Sequence, residues 1–560
     1  MGDASEGFFT PPPPPKSASP PRILIVGAGS RGQTYARSVT SVTNGVVVAV
    51  AEPDPYRRGL VGKECIAGWG GPDGAYPPPK GSSFANWREF VAWERARRER
   101  AAAASGNGHV PEGIDAAFVC VQDEMHREVV LGLAELGGIH IMCEKPLATR
   151  LADCVEMYRA LRRSNAPGAG QQQQRGLVFS IGHVMRYSPH NMELRRLLLQ
   201  DRVVGEILDV VHTEPIGHWH FAHSYVRGNW RREDTSAPSL LAKCCHDVDL
   251  LLWLLCSPPT CAAPTTEGQP GPHIPSTVSS SGSLKLFKQS RKPREAGAAT
   301  NCLSCPIESS CQFSAKRIYV DGNDGDAMRS LDSSNRDWPV DVVLPDIESY
   351  GDKAQARAAL LAELAKDYGS NAPDSAVRAR NWFGRCVWES DNDVCDSQVV
   401  TITWDEEQVA SPGGGGDSGS SPGRGAKTAT LHMVAQTKKI CQRYTHVYGE
   451  HGEVYADSAT ITVEDFRTGR TTVHRPRLES LGHGGGDNGL ARQFVLAVDR
   501  VKNHGWDADR AQREHVGCTL DDVLRSHAVV FCAEDARKGR AVVDFGRWWR
   551  DEVEAGLAAE

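Results

Sequence analysis

The chain has 560 residues, 40% of them hydrophobic and 24% charged, with a net charge of −7 at pH 7. This length exceeds what one hydrophobic core usually organises, so we expect two domains with insertions. The acidic balance argues against nucleic acid as a partner, sixteen cysteines are too sparse for a disulfide scaffold, and no apolar run reaches the roughly 18 residues of a membrane span. We therefore expect a cytoplasmic protein with reduced thiols that binds neither nucleic acid nor a membrane.

The first 185 residues follow the pattern of a parallel sheet covered by helices. Residues 1–21 are rich in Pro, Ser and Gly, which predicts a disordered tail. Short apolar runs then alternate with amphipathic helical stretches. The predicted strands are 23–26, 46–51, 116–121, 139–143 and 177–181, and the predicted helices include 125–136 and 151–162. This alternation predicts an α/β domain over residues 22–185.

Strand-like segments dominate the chain beyond about residue 205. They include 399–404, 428–435 and 460–463, and a helical apolar stretch lies at 240–255. The pattern predicts a second, α+β domain over residues 186–550 with a mostly antiparallel sheet. Two stretches of biased composition, 258–281 and 406–427, are interpreted as loop insertions, and 301–315 is a Cys-rich segment.

A glycine-rich sequence directly follows the first predicted strand. Gly27, Gly29 and Gly32 form a G-x-G-x-x-G pattern at the start of a helical stretch. The first glycine allows a tight turn, the second lets the backbone approach a pyrophosphate, and the third permits close helix packing. The pyrophosphate is expected at the helix N-terminus, beside Ser30 and Arg31, where unpaired N–H groups favour an anion. These residues are therefore predicted to bind a dinucleotide.

A carboxylate at the end of the second predicted strand strengthens this prediction. Glu52 lies twenty residues after Gly32, where a Rossmann domain places the carboxylate that accepts hydrogen bonds from the adenosine ribose. A carboxylate there repels the 2′-phosphate of NADP, so Glu52 favours NAD as the cofactor. Arg31 and Arg57 lie close enough in the sequence to leave NADP open.

A Glu-Lys-Pro sequence at residues 144–146 follows the strand predicted at 139–143. With the glycine pattern and three further motifs, it resembles the glucose–fructose oxidoreductase and inositol dehydrogenase family, Gfo/Idh/MocA. The further motifs are, in chain order, Val121, Gln122, Asp123 with His126; Arg186, Tyr187 and Pro189; and His246, Asp247, Val248 and Asp249. The resemblance implies a Rossmann domain followed by a substrate-binding domain with an open sheet. One side of this sheet would cover the nicotinamide, and its outer face would pair chains into a homodimer or homotetramer. The resemblance also implies hydride transfer between NAD(P) and a sugar, cyclitol or related polyol.

The resemblance further implies roles for single residues. The cofactor-binding residues that it implies beyond the glycine pattern are Val121, Gln122, His126, Glu144 and Lys145. Lys145 would stand beside the nicotinamide and share a proton with a substrate hydroxyl. His246, in the helical stretch 240–255, would act as a general base toward that hydroxyl. The alternative for His246 is a hydrogen-bonded histidine of the core.

One position departs from the family pattern. Family dehydrogenases commonly carry an aspartate four residues before this histidine, where this chain has Ala242 followed by Lys243. We interpret Lys243 as a substitute, either a polar contact or a group that shuttles a proton. Lys243, His246 and Asp249 are spaced by three residues and can share one face of the helix.

Two segments rich in hydrogen-bond donors are interpreted as substrate loops, 218–230 and the glycine-rich 482–487. Together with the Arg-Tyr motif, the predicted substrate-binding residues are Arg186, Tyr187, His223, Arg227, Trp230, His483 and Asp487. The glycine-rich loop also resembles one in NAD-dependent α-N-acetylgalactosaminidases, so a glycosidase that retains its NAD stays an alternative. A non-catalytic regulator that senses the dinucleotide is a further alternative, against which the presence of Lys145 and His246 argues.

Three closely spaced cysteines suggest a metal site. Cys302, Cys305 and Cys311 form a C-x2-C-x5-C pattern. Thiolates at this spacing can bind one Zn²⁺, which takes four N or S ligands in a tetrahedron. We predict a structural zinc with Cys386 as the fourth ligand, and Cys395 or a histidine as alternatives to it. Reduced, metal-free thiols are the other interpretation.

Overall fold

The computed structural model describes residues 14–71, 76–103, 110–165, 176–257, 271–322, 330–407, 424–479 and 482–558. The greater part of the predicted tail (1–13) and of the two predicted insertions (258–270 and 408–423) lies outside the described residues. Across the described ranges, no helix has both the length and the apolar character that a membrane span requires.

The N-terminal part of the chain forms a parallel sheet in the order β3-β2-β1-β4-β5-β6. Its strands are β1 (Arg22–Val26), β2 (Val46–Ala51), β3 (Ser83–Phe84), β4 (Ala116–Val119), β5 (His140–Cys143) and β6 (Phe179–Ile181). Every residue of β4 and β5 is buried, because helices cover both faces of the sheet. The strand order is that of a Rossmann fold, which confirms the predicted α/β class. The sequence did not predict β3, since two residues are too few to show a period.

The second sheet has the order β14-β13-β12-β11-β7-β10-β9-β8-β15. Its strands are β7 (Ile207–Pro215), β8 (Thr277–Ser283), β9 (Ser397–Trp404), β10 (Lys427–Val434), β11 (Tyr444–Gly449), β12 (Gly452–Ala456), β13 (Ile461–Asp465), β14 (Arg470–His474) and β15 (Val542–Asp544). In the described chain its neighbouring strands are antiparallel except β7 and β10. The predicted open, mostly antiparallel sheet is confirmed.

Helices pack against both sheets. They are α1 (Ser30–Val42), α2 (Pro55–Cys65), α3 (Trp87–Ala103), α4 (His126–Leu136), α5 (Leu151–Ser164), α6 (Pro189–Arg195), α7 (His218–Phe221), α8 (Ser239–Leu255), α9 (Val340–Val343), α10 (Lys353–Leu364), α11 (Asp374–Arg378), α12 (Gly486–His504), α13 (Ala508–Ala511), α14 (Leu520–Gly539), α15 (Phe545–Trp548) and α16 (Ala555–Ala558). The long apolar helix predicted at 240–255 is α8, which is buried along almost its whole length.

The predicted insertions 258–281 and 406–427 were wrong at their C-terminal ends. Strand β8 begins at Thr277 and β10 begins at Lys427, inside the predicted loops. The sequence of β8 is mostly serine and glycine, so it carries too few apolar residues to show the alternation of a strand.

A larger insertion separates β8 from β9. The two strands pair directly, with Ser283 opposite Ser397, so residues 284–396 leave the sheet and return to it at neighbouring positions. This segment has its own small hydrophobic core, which includes Tyr319, Leu360 and Phe383. The sequence predicted the Cys-rich part of this insertion, 301–315, but not that the insertion runs from residue 284 to residue 396.

The C-terminal helices return to the Rossmann sheet. Helix α12 packs against α1, and the ring of Phe494 meets that of Phe118 edge-on at 5.3 Å. The Gln512 side chain bonds both backbone groups of Phe179 at the edge of the sheet, accepting from its N–H at 2.9 Å and donating to its carbonyl at 2.6 Å. The boundaries 22–185 and 186–550 stay a prediction, and these contacts show residues after 486 completing the first domain.

Two buried histidines accept backbone hydrogen bonds. His140 Nδ1 accepts the N–H of Val178 at 3.0 Å, and His527 Nε2 accepts the N–H of Leu147 at 2.8 Å. Burial lowers the pKa of His140 to about 4 and that of His527 to about 3. Both rings are therefore neutral in the folded protein near pH 7.

Acidification is expected to destabilise the fold through these rings. A folded-state pKa below the unfolded value means that the unfolded chain binds more protons, so stability falls as pH drops below about 6.5. We expect roughly 2 kcal/mol per histidine to be lost between pH 7 and pH 5, measured by urea unfolding. His140→Gln should reduce this pH dependence, since glutamine accepts the same bond without a proton, whereas His504→Gln at an exposed histidine should not. Equal pH dependence in His140→Gln and the unaltered protein would contradict the assignment.

Candidate active site

The glycine loop has the geometry that a pyrophosphate needs. Gly27 has φ +90°, and a Cβ there would lie 2.6 Å from the Cys120 carbonyl oxygen. A Cβ on Gly32 would lie 1.9 Å from the Gly27 carbonyl oxygen, so α1 starts in close contact with the loop. The nearest atom to a Cβ on Gly29 is Arg57 Nη1 at 3.9 Å, and no side chain caps the N-terminus of α1. The loop therefore leaves room and free N–H groups for an anion.

Glu52 lies beside this loop. The backbone N–H of Ala28 donates to Glu52 Oε2 at 2.7 Å, and that of Asp54 donates to Oε1 at 2.9 Å. Each carboxylate oxygen keeps acceptor capacity beyond its one bond, so both ribose hydroxyls of an adenosine can be held there. Arg57 Nη2 donates to the backbone of Asp341 at 3.3 Å, which brings the insertion 284–396 to the same edge.

His126 joins the loops that follow β4 and β5. The ring is fully buried, and its nitrogens lie 2.7 Å from the Pro146 carbonyl oxygen and 3.2 Å from that of Val121. These contacts make His126 a positioning residue. Val121 is half-buried and Gln122 exposed at the carboxyl edge of the sheet, where ligands of open α/β sheets bind.

Arg31 connects the glycine loop to two buried carboxylates. Its Nε donates to Glu144 Oε1 at 2.6 Å, and its Nη2 donates to Asp487 Oδ1 at 2.7 Å. Burial alone would raise the pKa of each carboxyl group, but the Arg31 charge outweighs it and both pKa values are lowered. His483 Nδ1 lies 3.1 Å from Asp487 Oδ2, so the glycine-rich loop docks against the dinucleotide site.

Lys145 crosses from the Rossmann domain to α8. Its Nζ donates to the Ala242 carbonyl oxygen at 2.5 Å, one turn before His246, and its backbone N–H donates to Glu144 Oε2 at 2.9 Å. The rings of His246 and His483 meet edge-on at 6.3 Å. The structure thus gathers three of the predicted site residues from three distant segments.

His246 is held by Arg443. Arg443 Nη2 lies 2.7 Å from His246 Nε2, and because a guanidinium can donate but not accept, Nε2 is the acceptor. Burial lowers the pKa of His246 well below its usual value, although the neighbouring Asp247 raises it, so the ring is neutral. The proton is then on Nδ1, which is buried and has no hydrogen-bond partner among the described residues. His246 therefore presents an N–H donor, and the role of general base that the resemblance implied for it does not fit this arrangement.

Lys243 belongs to a buried group of balanced charges. Its Nζ lies 3.3 Å from Glu214 Oε1 and donates to Cys441 Sγ at 2.9 Å. Arg443 Nε lies 3.0 Å from Glu214 Oε2 and 2.5 Å from Asp247 Oδ1. Burial would lower the pKa of Lys243, but Cys441 and Glu214 raise it, so Lys243 stays a cation. A fixed cation suits the polar role predicted for Lys243 better than proton shuttling.

Glu214, Cys441 and Arg443 were missed by sequence reasoning. The antiparallel register of β7 and β11 pairs Thr213 with Tyr444, which places Glu214 next to Arg443. Nothing local to these residues distinguishes them from surface charges, because the register alone brings them to His246.

Two predicted substrate residues lie in the scaffold. Arg186 donates to both oxygens of Asp249 at 2.7 and 2.8 Å, and Tyr187 donates to the Val516 carbonyl oxygen at 2.8 Å. All these side chains are buried. Asp249 therefore pairs with Arg186. The helix spacing had suggested that Asp249 shares a site with Lys243, and the structure shows that it does not.

The segment 218–230 also turns mostly inward. His223 stacks on Phe383 at 5.2 Å, Arg227 is fully buried, and Trp230 Nε1 donates to Asp123 Oδ2 at 2.8 Å. Burial lowers the pKa of His223 to about 3. The structure does not bring His223 and Arg227 to the cleft, whereas Trp230 joins the second domain to the loop after β4.

Part of the chain is similar to a family model and to curated proteins. A model of the oxidoreductase family with an NAD-binding Rossmann fold, GFO_IDH_MocA, matches residues 85–167. The chain is 33% identical over 97 residues to 2,7-anhydro-N-acetylneuraminate hydratase of Mediterraneibacter gnavus, covering 17% of this chain and 22% of that protein. It is 30% identical over 144 residues to 1,5-anhydro-D-fructose reductase of Ensifer adhaerens, covering 25% of this chain and 38% of that protein.

The fold is shared more widely than the sequence. Levoglucosan dehydrogenase in complex with NADH and levoglucosan superposes with a TM-score of 0.53 at 12% identity, over 94% of this chain and 100% of that chain. The chain thus spans the whole of that fold but well under half the length of the two curated relatives it matches. The glycine pattern, the loop at 144–146 and the two-sheet architecture are consistent with the match of residues 85–167 to the Gfo/Idh/MocA family model, and the chain is similar to this family of oxidoreductases over that part of its length.

Proposed function

We propose that this protein is an NAD-dependent oxidoreductase that moves hydride between nicotinamide and a sugar, cyclitol or related polyol. The observation that carries the proposal is the reach of Lys145 from the loop after β5 to the Ala242 carbonyl oxygen, beside His246. The names of the relatives, which include a reductase of an anhydrosugar, support the substrate class.

The residues present fit a dinucleotide. The loop from Gly27 to Gly32 would hold the pyrophosphate and Glu52 the adenosine ribose, and the bound nicotinamide would supply or accept the hydride. Lys145 takes the proton of the substrate hydroxyl in oxidation and returns it in reduction. His246 donates its Nδ1 proton in a hydrogen bond to a substrate oxygen, while Arg443 at Nε2 keeps the ring in that tautomer.

A panel of sugars and cyclitols with NAD or NADP tests the reaction, with the absorbance of the reduced nicotinamide as the readout. We expect steady reduction of NAD with at least one polyol. Cleavage of a glycoside without net reduction would select the retained-NAD hydrolysis instead. Absence of both bound and titratable nucleotide, by calorimetry, would refute the proposal.

Replacing Glu52 tests the choice of nucleotide. In Glu52→Gln the carboxylate charge is lost while an acceptor for the Ala28 N–H remains. We expect NAD affinity to fall about tenfold or more, because hydrogen bonds to a charged group contribute roughly 1.5–3 kcal/mol, and NADP to be tolerated better. Glu64→Gln is the matched control, since Glu64 pairs with Arg37 on the surface. A preference of the unaltered protein for NADP would contradict the assignment of Glu52.

We also propose a homo-oligomer. Val211, Tyr448 and Tyr455 lie on one face of the second sheet and are each about 40% exposed. Apolar and aromatic residues gathered on an open face are typical of a surface that another copy covers. Light scattering at micromolar concentration should show a dimer or tetramer, and a monomer would contradict this.

The cysteines of the described residues are unpaired, which supports the predicted cytoplasmic location.

A further inference from the structure

A cavity in the insertion 284–396 gathers the predicted metal ligands. It is lined by Cys302, Cys305, Cys311 and Cys386, together with Arg227, Trp388 and mostly apolar neighbours. The backbone fixes the two distant cysteines, because the Cys302 N–H donates to Gly384 and the Cys386 N–H donates to Thr300, both at 2.8 Å. Cys305 and Cys311 follow at the ends of two short 3-10 turns. The structure thus supports Cys386, and not Cys395, as the fourth member.

The four sulfur atoms stand too far apart for one zinc ion. Zinc binds thiolates at about 2.3 Å in a tetrahedron, which puts the sulfur atoms about 3.8 Å from one another. In the described structure no three of these Sγ atoms lie within 4.8 Å of one another. A polynuclear cluster spreads its cysteine ligands over several iron atoms and suits this spacing.

The electrostatics of the cavity require an anion. Arg227 is fully buried, and its Nε and Nη2 donate to the carbonyl oxygens of Arg385 at 2.7 Å and Phe313 at 2.8 Å. Its Nη2 also donates to Cys302 Sγ at 3.4 Å, and its Nη1 has no partner in the described part of the chain. No carboxylate of the described residues forms an ion pair with Arg227, and Glu308 of the cavity lining pairs with Lys316 at 3.5 Å. Four neutral thiols would leave this buried cation uncompensated, which is costly. A thiolate-bound metal centre carries the negative charge that is missing.

A second donor points to sulfur as the acceptor. Trp388 lines the cavity, and its Nε1 is buried without a partner among the described residues. Hydrogen bonds from N–H groups to the sulfur atoms of an iron–sulfur cluster stabilise its charge and set its potential. Arg227 and Trp388, one cationic and one neutral, are therefore the candidate donors to such sulfur atoms.

We propose that Cys302, Cys305, Cys311 and Cys386 bind an iron–sulfur cluster. The cluster joins the two ends of the insertion and anchors Arg227, which ends the helical segment that begins at His218. It is therefore a site distinct from the dinucleotide cleft, and it does not depend on the proposed reaction.

The full chain is to be produced with added iron and purified without oxygen. Iron, acid-labile sulfide and zinc are then measured per chain, with visible absorbance and electron paramagnetic resonance after dithionite. We expect about two or four iron atoms with as many sulfides, and a broad absorbance that bleaches on reduction. About one zinc without sulfide overturns the proposal in favour of the predicted zinc site. Neither metal nor sulfide after anaerobic reconstitution overturns it as well.

Three variants separate ligation from folding. Cys311→Ala should lower iron and sulfide together by more than half, whereas Cys65→Ala, at a half-buried cysteine outside the cavity, should leave both unchanged. Arg227→Gln should keep the iron but shift the reduction potential downward, because a cation beside the cluster is lost. Circular dichroism checks that each variant is folded. Full iron and sulfide content in Cys311→Ala would count against the assigned ligands.

Discussion

Replacement of Lys145 by alanine is expected to lower kcat/KM for a polyol substrate about a thousandfold, with little change in NAD affinity. Lys145 Nζ is the group that reaches across the cleft, 2.5 Å from the Ala242 carbonyl oxygen. General acid–base groups contribute roughly a hundred- to ten-thousandfold in rate, and Lys145 provides the proton transfer at the substrate oxygen. The glycine loop and Glu52, which hold the nucleotide, do not depend on the Lys145 side chain.

Steady-state kinetics measure kcat/KM for the polyol, and calorimetric titration measures the affinity for NAD, so the two parts of the prediction are tested separately. Lys288→Ala is the control, since Lys288 is exposed in the insertion and distant in sequence from every proposed site residue. Lys145→Arg keeps the charge but holds its proton more tightly, so it should bind NAD as the unaltered protein does and should not restore turnover. Turnover within threefold of the unaltered protein in Lys145→Ala would remove Lys145 from the chemistry.

Replacement of Arg443 by leucine is expected to lower the free energy of unfolding by about 3–5 kcal/mol, because it leaves two buried carboxylates with one fewer cation. Glu214 and Asp247 are both fully buried, and both lie within 3.0 Å of Arg443 Nε. Urea unfolding measures the loss. Arg470→Leu, at an exposed arginine of β14, should change stability by less than about 0.5 kcal/mol.

The same variant tests the tautomer of His246. Arg443 donates to Nε2 and its charge lowers the pKa of the ring, so its removal should raise the pKa of His246. The pH profile of the His246 ring signals in an NMR titration should then move to higher pH. The double variant Arg443→Leu with Glu214→Leu removes one charge of each sign and should recover part of the stability. If stability falls while the pH profile stays unchanged, Arg443 is only structural.

Local patterns predicted the first domain well. The strands of the Rossmann sheet are short apolar runs because both faces are covered, and the glycines at 27, 29 and 32 keep the turn open for an anion. The helix at α8 and the strands β9 and β10 also follow from periodicity within one or two residues. Strand β8 does not, because its side chains are mostly small and polar.

The roles of charged residues were predicted less well. Arg186 and Arg227 were predicted to bind substrate because a guanidinium can donate several hydrogen bonds. In the structure both are buried: Arg186 pairs with Asp249, and Arg227 donates to Cys302 Sγ. A sequence shows that an arginine can bind a carboxylate or a sulfur atom, but not which one the fold will place beside it.

The sequence by itself determined the elements of the dinucleotide site, since the turn, the helix start and the carboxylate after β2 are set by residues close together in the chain. Only the tertiary structure decided how the cleft is completed, because Arg31 meets Asp487 and His246 meets Arg443 across hundreds of residues. Those pairings follow from strand register and helix packing, which depend on long-range contacts and leave no local period in the chain.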